Sequence, residues 1–229
     1  MVGVTTNRPA PLSAVLSVVA AAAAIYLVAT GPNQRFALAV TIGGLAALAV
    51  GIELWRREHR LLGGIIGLVG TGAVGVALVL GYSRSARFGT AAELLPGLVG
   101  LSLLVLGLGP IWKGRERLLF SAGTGLVFVS PLVAAVLYET TTVTLLIAGV
   151  CTVLAWDLAE RAVNLGEQVG REARTYSVEL LNGGATLAVG GVAIALVQGV
   201  AGANVTGLPL LALAGLLAAA FTLLVALYN

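Results

Sequence analysis

Trp55-Arg56-Arg57-Glu58-His59-Arg60-Leu61-Leu62 closes one long hydrophobic stretch and opens the next. The arrangement returns as Trp112-Lys113-Gly114-Arg115-Glu116-Arg117-Leu118-Leu119, and the remaining tryptophan, Trp156, is followed five residues later by Arg161. An apolar segment that ends in Trp and then in basic residues marks a transmembrane helix reaching the headgroup layer, where the indole sits at the interface and the cation meets anionic lipid. Trp55, Arg60, Trp112, Arg117 and Trp156 are therefore read as interface anchors that set the register of the chain around them.

Composition points the same way. Hydrophobic residues make up 59% of the chain and charged residues 10%, against about 25% charged in an ordinary soluble domain. One soluble core of 229 residues cannot hide that much apolar surface. Runs of about 20 apolar residues each cross a hydrocarbon layer of about 30 Å. Backbone polar groups in lipid must be satisfied within their own segment, so the runs are helices. The strict alternation of a membrane β-barrel is absent.

The fold class read from the sequence is all-α: a polytopic transmembrane helical bundle, a single domain over residues 1–229. Eight spans are expected, at Pro11–Thr30, Phe36–Trp55, Leu61–Tyr82, Leu94–Trp112, Leu118–Tyr138, Thr141–Trp156, Gly183–Gly202 and Leu208–Tyr228. Only the break at Glu139–Thr140 separates the fifth from the sixth. The first stretch has the outline of a secretory signal, but it is read as a retained first span.

Basic residues orient the bundle. The loops after spans two, four and six hold Arg56, Arg57 and Arg60, then Lys113, Arg115 and Arg117, then Arg161, Arg171 and Arg174, and Arg8 lies in the N-terminal tail. The opposite face has Arg35, Arg84 and Arg87. The positive-inside rule then puts both termini in the cytoplasm and predicts a multi-pass protein of the cell membrane. The formal charge of +3 follows from this topology and is not a nucleic-acid signal.

The two Trp-Arg tails match at an offset of 57 residues, with Gly43 and Gly100 at the same distance before each. Either a hairpin was duplicated in one orientation, or helix ends facing the cytoplasm converged on Trp and Arg. Small residues recur every fourth position on span two (Gly43, Ala47, Gly51) and span three (Gly63, Gly67, Thr71, Gly75). Packing drives helix association in lipid, and such seams let backbones approach. A tight pair of spans two and three is expected, with a homo-oligomer seam as the alternative.

The sequence lacks the parts of a catalyst. Cys151 is the single cysteine and His59 the single histidine, so no disulfide, thiolate cluster or metal site is expected, and no cofactor. Charged residues avoid the middle of every span, where ion-coupled transporters place the groups that carry their work. Glu53 comes closest, with arginines at helical spacing. Neither a Ser/His pair, a zinc motif nor a phosphate loop is present, and the reading is that the protein is not an enzyme. Ser121, Thr124 and Ser130-Pro131 on span five carry the alternative reading, a passive channel or facilitator for a small solute. Pro131 removes a helical donor and kinks its helix.

Residues 157–181 form the largest extramembrane piece. Leu158, Ala162, Leu165, Val169, Ala173, Tyr176 and Leu180 make one apolar stripe at helical spacing. The opposite side holds Asp157, Glu160, Arg161, Glu167, Arg171 and Glu172. Without a break after Trp156, span six is expected to run straight into a cytoplasmic amphipathic helix. Five acids against three bases suit a protein surface better than anionic lipid, which recruits basic helices. The expected partner-binding residues are Leu158, Arg161, Leu165, Val169, Arg171 and Tyr176. The surface they meet is this chain, a second copy or another protein.

The stretch from Trp156 to Ala173, with the opening Asn7-Arg8-Pro9-Ala10-Pro11-Leu12-Ser13-Ala14, resembles an uncharacterised family of haloarchaeal integral membrane proteins. Members are encoded near MoxR-type AAA ATPases and proteins with von Willebrand factor A-like domains. The resemblance implies an accessory role beside such a system and supplies no substrate or catalytic residue. The leading expectation is thus a non-enzymatic membrane scaffold or accessory subunit that presents the 157–181 helix to protein partners.

Overall fold

The computed structural model describes residues 9–83, 88–109, 114–137, 140–168 and 176–202. They form α1 (Pro11–Val28), α2 (Pro32–Arg56), α3 (Arg60–Ser83), α4 (Phe88–Leu108), α5 (Glu116–Leu137), α6 (Thr142–Gln168) and α7 (Tyr176–Gly202). There is no strand among the described residues. Helices α1, α2, α3, α5 and α6 are long and apolar enough to cross a membrane, and α4 and α7 contain the shorter apolar stretches Leu94–Leu108 and Gly183–Gly199. The protein is an all-α, multi-pass membrane protein. Seven of the eight expected spans correspond to described helices, five of them of full spanning length; the eighth, Leu208–Tyr228, lies outside the described residues. Met1–Gly190 and Gly191–Asn229 are two compact units, and the described residues of the second, 191–202, are helical.

Local chemistry explains the helix ends. Pro11 and Pro32 open α1 and α2, where a missing N–H costs nothing and the fixed φ suits the first turn. Gln34 Oε1 accepts from Gly31 N–H at 3.0 Å. Beside it, the Arg35 guanidinium lies 4.9 Å from the centre of the Tyr26 ring and donates to the Ala29 carbonyl at 3.2 Å. The break between α5 and α6 falls close to its expected place. Thr141 Oγ1 accepts the Thr144 N–H at 3.4 Å, capping the start of α6.

Ile25, Leu98, Leu101, Leu104, Phe120 and Val127, from α1, α4 and α5, are fully buried and fill the middle of the bundle. Helix α1 packs along α6 through small residues. Ser13, Ser17, Ala21 and Ala24 on α1 and Thr152, Ala155, Ala159 and Ala162 on α6 are all buried. Ser17 Oγ donates to the Ala155 carbonyl at 2.6 Å, and Ala10 N–H donates to the Ala162 carbonyl at 2.8 Å. An interhelical hydroxyl bond of this kind contributes about 0.6–2 kcal/mol in lipid. On the periphery α3 leaves Leu61, Ile65 and Leu68 exposed to the bilayer.

Helices α2 and α3 meet backbone on backbone. A Cβ placed on Gly51 would lie 2.5 Å from the Gly67 nitrogen and 2.9 Å from the Gly63 carbonyl oxygen, and one on Gly70 would lie 2.6 Å from the Gly44 oxygen. Gly51 and Gly63 therefore sit at the contact with no room for a Cβ, and Gly67 offers only its backbone there, since a Cβ on it would meet nothing within 4 Å. Gly43 and Gly75 do not sit there, because a Cβ on either meets nothing within 4 Å; Gly44 and Gly70 take their places. A stripe built on four-residue steps drifts about 40° around the helix per step, whereas the seven-residue step from Gly44 to Gly51 stays on one face.

The same step recurs in the α4–α5 hairpin. A Cβ on Gly100 would lie 2.5 Å from the Gly123 oxygen, and one on Gly107 would lie 2.7 Å from the Phe120 nitrogen. A third position extends both series: Glu58 has φ 71° and Gly114 has φ 81°. Gly44, Gly51 and Glu58 thus correspond to Gly100, Gly107 and Gly114 at an offset of 56, one residue less than the Trp-Arg tails suggest. Under that register Gly43 has no glycine counterpart.

At the end of α2 the His59 N–H reaches back to the Leu54 carbonyl at 3.2 Å, closing a Schellman turn whose left-handed position is normally glycine. Glu58 holds that position with a Cβ that disfavours it. Glu58→Gly should raise stability by about 0.5–1 kcal/mol. The check is an upward shift of the melting temperature of the purified protein in detergent, absent in a Glu58→Ala control.

Candidate functional site

The end of the bundle that carries Trp55 and Trp156 gathers the ends of α2, α4 and α6 and the starts of α1, α3 and α5. Trp55 is 55% exposed and Trp156 is 47% exposed, with Arg60 and Arg117 also exposed. Trp112 lies outside the described residues. Helix α6 does not stop at this level. It continues from Trp156 to Gln168 without interruption, about three further turns, and no Pro breaks the sequence there.

Three elements hold this extension. The chain before α1 is tied to it by the bond from Ala10 to Ala162. From the start of α5, Arg117 donates to Asn164 Oδ1 at 2.7 Å and to Glu167 Oε2 at 3.3 Å. From α7, the Thr186 hydroxyl donates to Asp157 Oδ2 at 2.7 Å, an oxygen that also accepts Arg161 Nε at 2.9 Å. Asp157 and Arg161 pair in the acid-first, four-apart order that favours an ion pair on one helix. Glu167 instead meets Arg117 across helices, and Arg171 lies outside the described residues.

The apolar stripe divides. Leu158 is 2% exposed and belongs to the main core with Ala155, Ala159, Ala162 and Val163. A Cβ on Gly183 would touch its side chain at 3.4 Å. Leu158 thus packs against this chain itself, the first of the three surfaces expected for the stripe. Helix α1 and the start of α7 cover the faces of α6 that composition alone left open. Leu165, two turns on, is only partly buried, and Glu160, Arg161 and Asn164 are likewise part-exposed. Val169 lies outside the described residues. Of the expected helix over 157–181, residues 157–168 are in α6 and 176–181 are in α7, and 169–175 lie outside the described residues.

What sequence reading missed is the inward face. Ala155, Ala159 and Ala162 follow steps of four and three, a signal present in the sequence, and Ala148, the other alanine of α6, is buried as well. Ser17 could have been found as the hydroxyl facing them.

Within the membrane-spanning part of α5, Thr124 bonds its own helix. Thr124 Oγ1 donates to the carbonyls of Phe120 at 2.9 Å and Ser121 at 3.1 Å. Ser130 Oγ is buried with no hydrogen-bond partner. It fills the space left by Gly97, where a Cβ would come within 2.5 Å of it. Among the described residues no three His, Cys, Asp or Glu side chains converge on a point. The arrangement can present a polar helix at a membrane surface, held by the part-buried Asp157–Arg161 pair and by the exposed Arg117–Glu167 pair, the latter worth about 1 kcal/mol or less.

A model of a family of unknown function, DUF7519, matches residues 67–224. The matched segment takes in most of α3 and all of α4 to α7, the α6 extension included. No curated protein and no solved structure matches the chain.

Proposed function

The chain belongs to DUF7519, a family of unknown function, and from that premise we propose that it is a non-enzymatic integral membrane scaffold or accessory subunit. The bundle holds the α6 extension at the cytoplasmic surface of the cell membrane, where protein partners dock. The observation that carries this reading is the extension itself. It runs on past Trp156 to Gln168 and is clamped from α1, α5 and α7 rather than left free. Helix ordering for recognition is costly, and a helix already fixed by its own bundle meets a partner without that cost.

The docking residues are Leu165, Val169 and Tyr176 on the apolar side, with Arg161 and Arg171 selecting the partner by charge. Sequence resemblance suggests a partner of the MoxR-type AAA ATPase or von Willebrand factor A-like class. The experiment is affinity purification from native membranes in mild detergent, wild type beside a Leu165→Asp, Val169→Asp variant, with mass spectrometry of the co-purifying proteins. A partner retained by the wild type and lost from the variant, at equal membrane insertion, is the expected result. Identical co-purification from both would overturn the assignment.

A further inference from the structure

A groove with a volume of about 360 Å³ lies between α1, α2 and α4. Val15 and Val19 of α1, Ala46 and Ala49 of α2, and Val105 and Leu106 of α4 are among its walls. Val15, Val19 and Ile42 are exposed, at 61%, 56% and 39%, so the groove opens sideways into the bilayer. Among the described residues its lining contains one charged residue, Glu53.

The position of that residue gives the groove a direction. Along α2 the lining runs from Ile42 to Glu53, a rise of about 16 Å. Half of a hydrocarbon layer of about 30 Å is about 15 Å. Glu53 stands half a turn before Trp55, at the interface, and its carboxylate accepts Arg57 Nε at 2.9 Å with both side chains partly exposed. The groove is therefore apolar for the depth of one leaflet and ends at headgroup level in a carboxylate beside a guanidinium. Water does not settle in apolar space of this kind. The alanines at positions 14, 46 and 49 leave width for a chain of methylenes in contact with three helices, more contact than a lipid gains on one convex helix face.

We propose that this groove is a binding site for one phospholipid of the leaflet on the Trp55 side. One of its hydrocarbon chains lies between α1, α2 and α4. Its phosphate faces Arg57, and a hydroxyl or amine of its head donates to Glu53. The match of groove depth to leaflet depth, with charges of both signs only at the outer end, selects an amphiphile over a peptide or a soluble ligand.

The test is native mass spectrometry of the full chain in detergent with added phosphatidylglycerol, whose head carries a phosphate and hydroxyl donors. The wild type retains a single lipid. Ala49→Phe fills the groove and lowers that occupancy at least about tenfold, while Val50→Phe, on the neighbouring face of α2 outside the groove, leaves it unchanged. Should Ala49→Phe fail to yield folded protein, Ala46→Leu provides the smaller filling. Equal occupancy in the wild type and the filled variant, several lipids shed without preference, or no retained lipid in the wild type would each overturn the site. The measurement needs no protein partner, so its outcome is separate from that of the docking experiment.

Discussion

Gly51→Leu should force α2 and α3 apart and destabilise the protein by about 3 kcal/mol or more. Gly43→Leu, eight residues earlier on the same helix, should cause no loss of stability, because a Cβ there meets nothing within 4 Å. The neighbours of Gly51 are the Gly67 nitrogen and the Gly63 carbonyl oxygen, and backbone cannot rotate away as a side chain does. The whole helix pair must shift, and with it the contact of Gly44 with Gly70. In lipid no hydrophobic force compensates, since hydrocarbon tails are as apolar as leucine and close packing holds the pair. Both substitutions gain about 0.8 kcal/mol of helix propensity by removing a glycine, so the difference between them isolates the steric effect. Thermal unfolding in detergent, followed by loss of the monodisperse species, measures it. Equal melting temperatures for the two variants would mean that α2 and α3 do not approach as described.

That contrast also shows where sequence reading stops. The helices were legible because length, hydropathy and the Trp-Arg ends are one-dimensional signals, and even the weak break before Thr142 left a trace in Glu139–Thr140. The face that each helix turns to its neighbour was less legible. Gly43 and Gly44 are adjacent, and a four-residue rule chose the first where the seven-residue step to Gly51 selects the second. The α1–α6 seam escaped notice because alanine is both a small interface residue and a common lipid-facing one. Its one distinctive mark was Ser17, whose hydroxyl bonds the Ala155 carbonyl. The amphipathic stripe is legible as spacing alone. Its partner, however, is a tertiary fact: Leu158 and Leu165 are both leucines on one line, and only the placement of α1 and α7 separates a core residue from a surface one.

Leu158→Asp should therefore abolish folding, whereas Leu165→Asp should not. Leu158 is buried among Ala155, Ala159 and Ala162, and a carboxylate there loses its hydration at a cost of several kcal/mol. The nearby guanidinium of Arg161 already meets Asp157 at 2.9 Å, and a second carboxylate beside Asp157 adds like-charge repulsion. Native stability is only about 5–15 kcal/mol, so this one change consumes much of it. The check is the yield of monodisperse protein extracted in mild detergent: near zero for Leu158→Asp, close to wild type for Leu165→Asp. Wild-type yield from Leu158→Asp would place that residue on the outside and return it to the docking surface. The distinction governs how partner loss is interpreted, because a Leu158 variant without a partner reports a collapsed bundle, while an intact Leu165 variant without one reports the docking face itself.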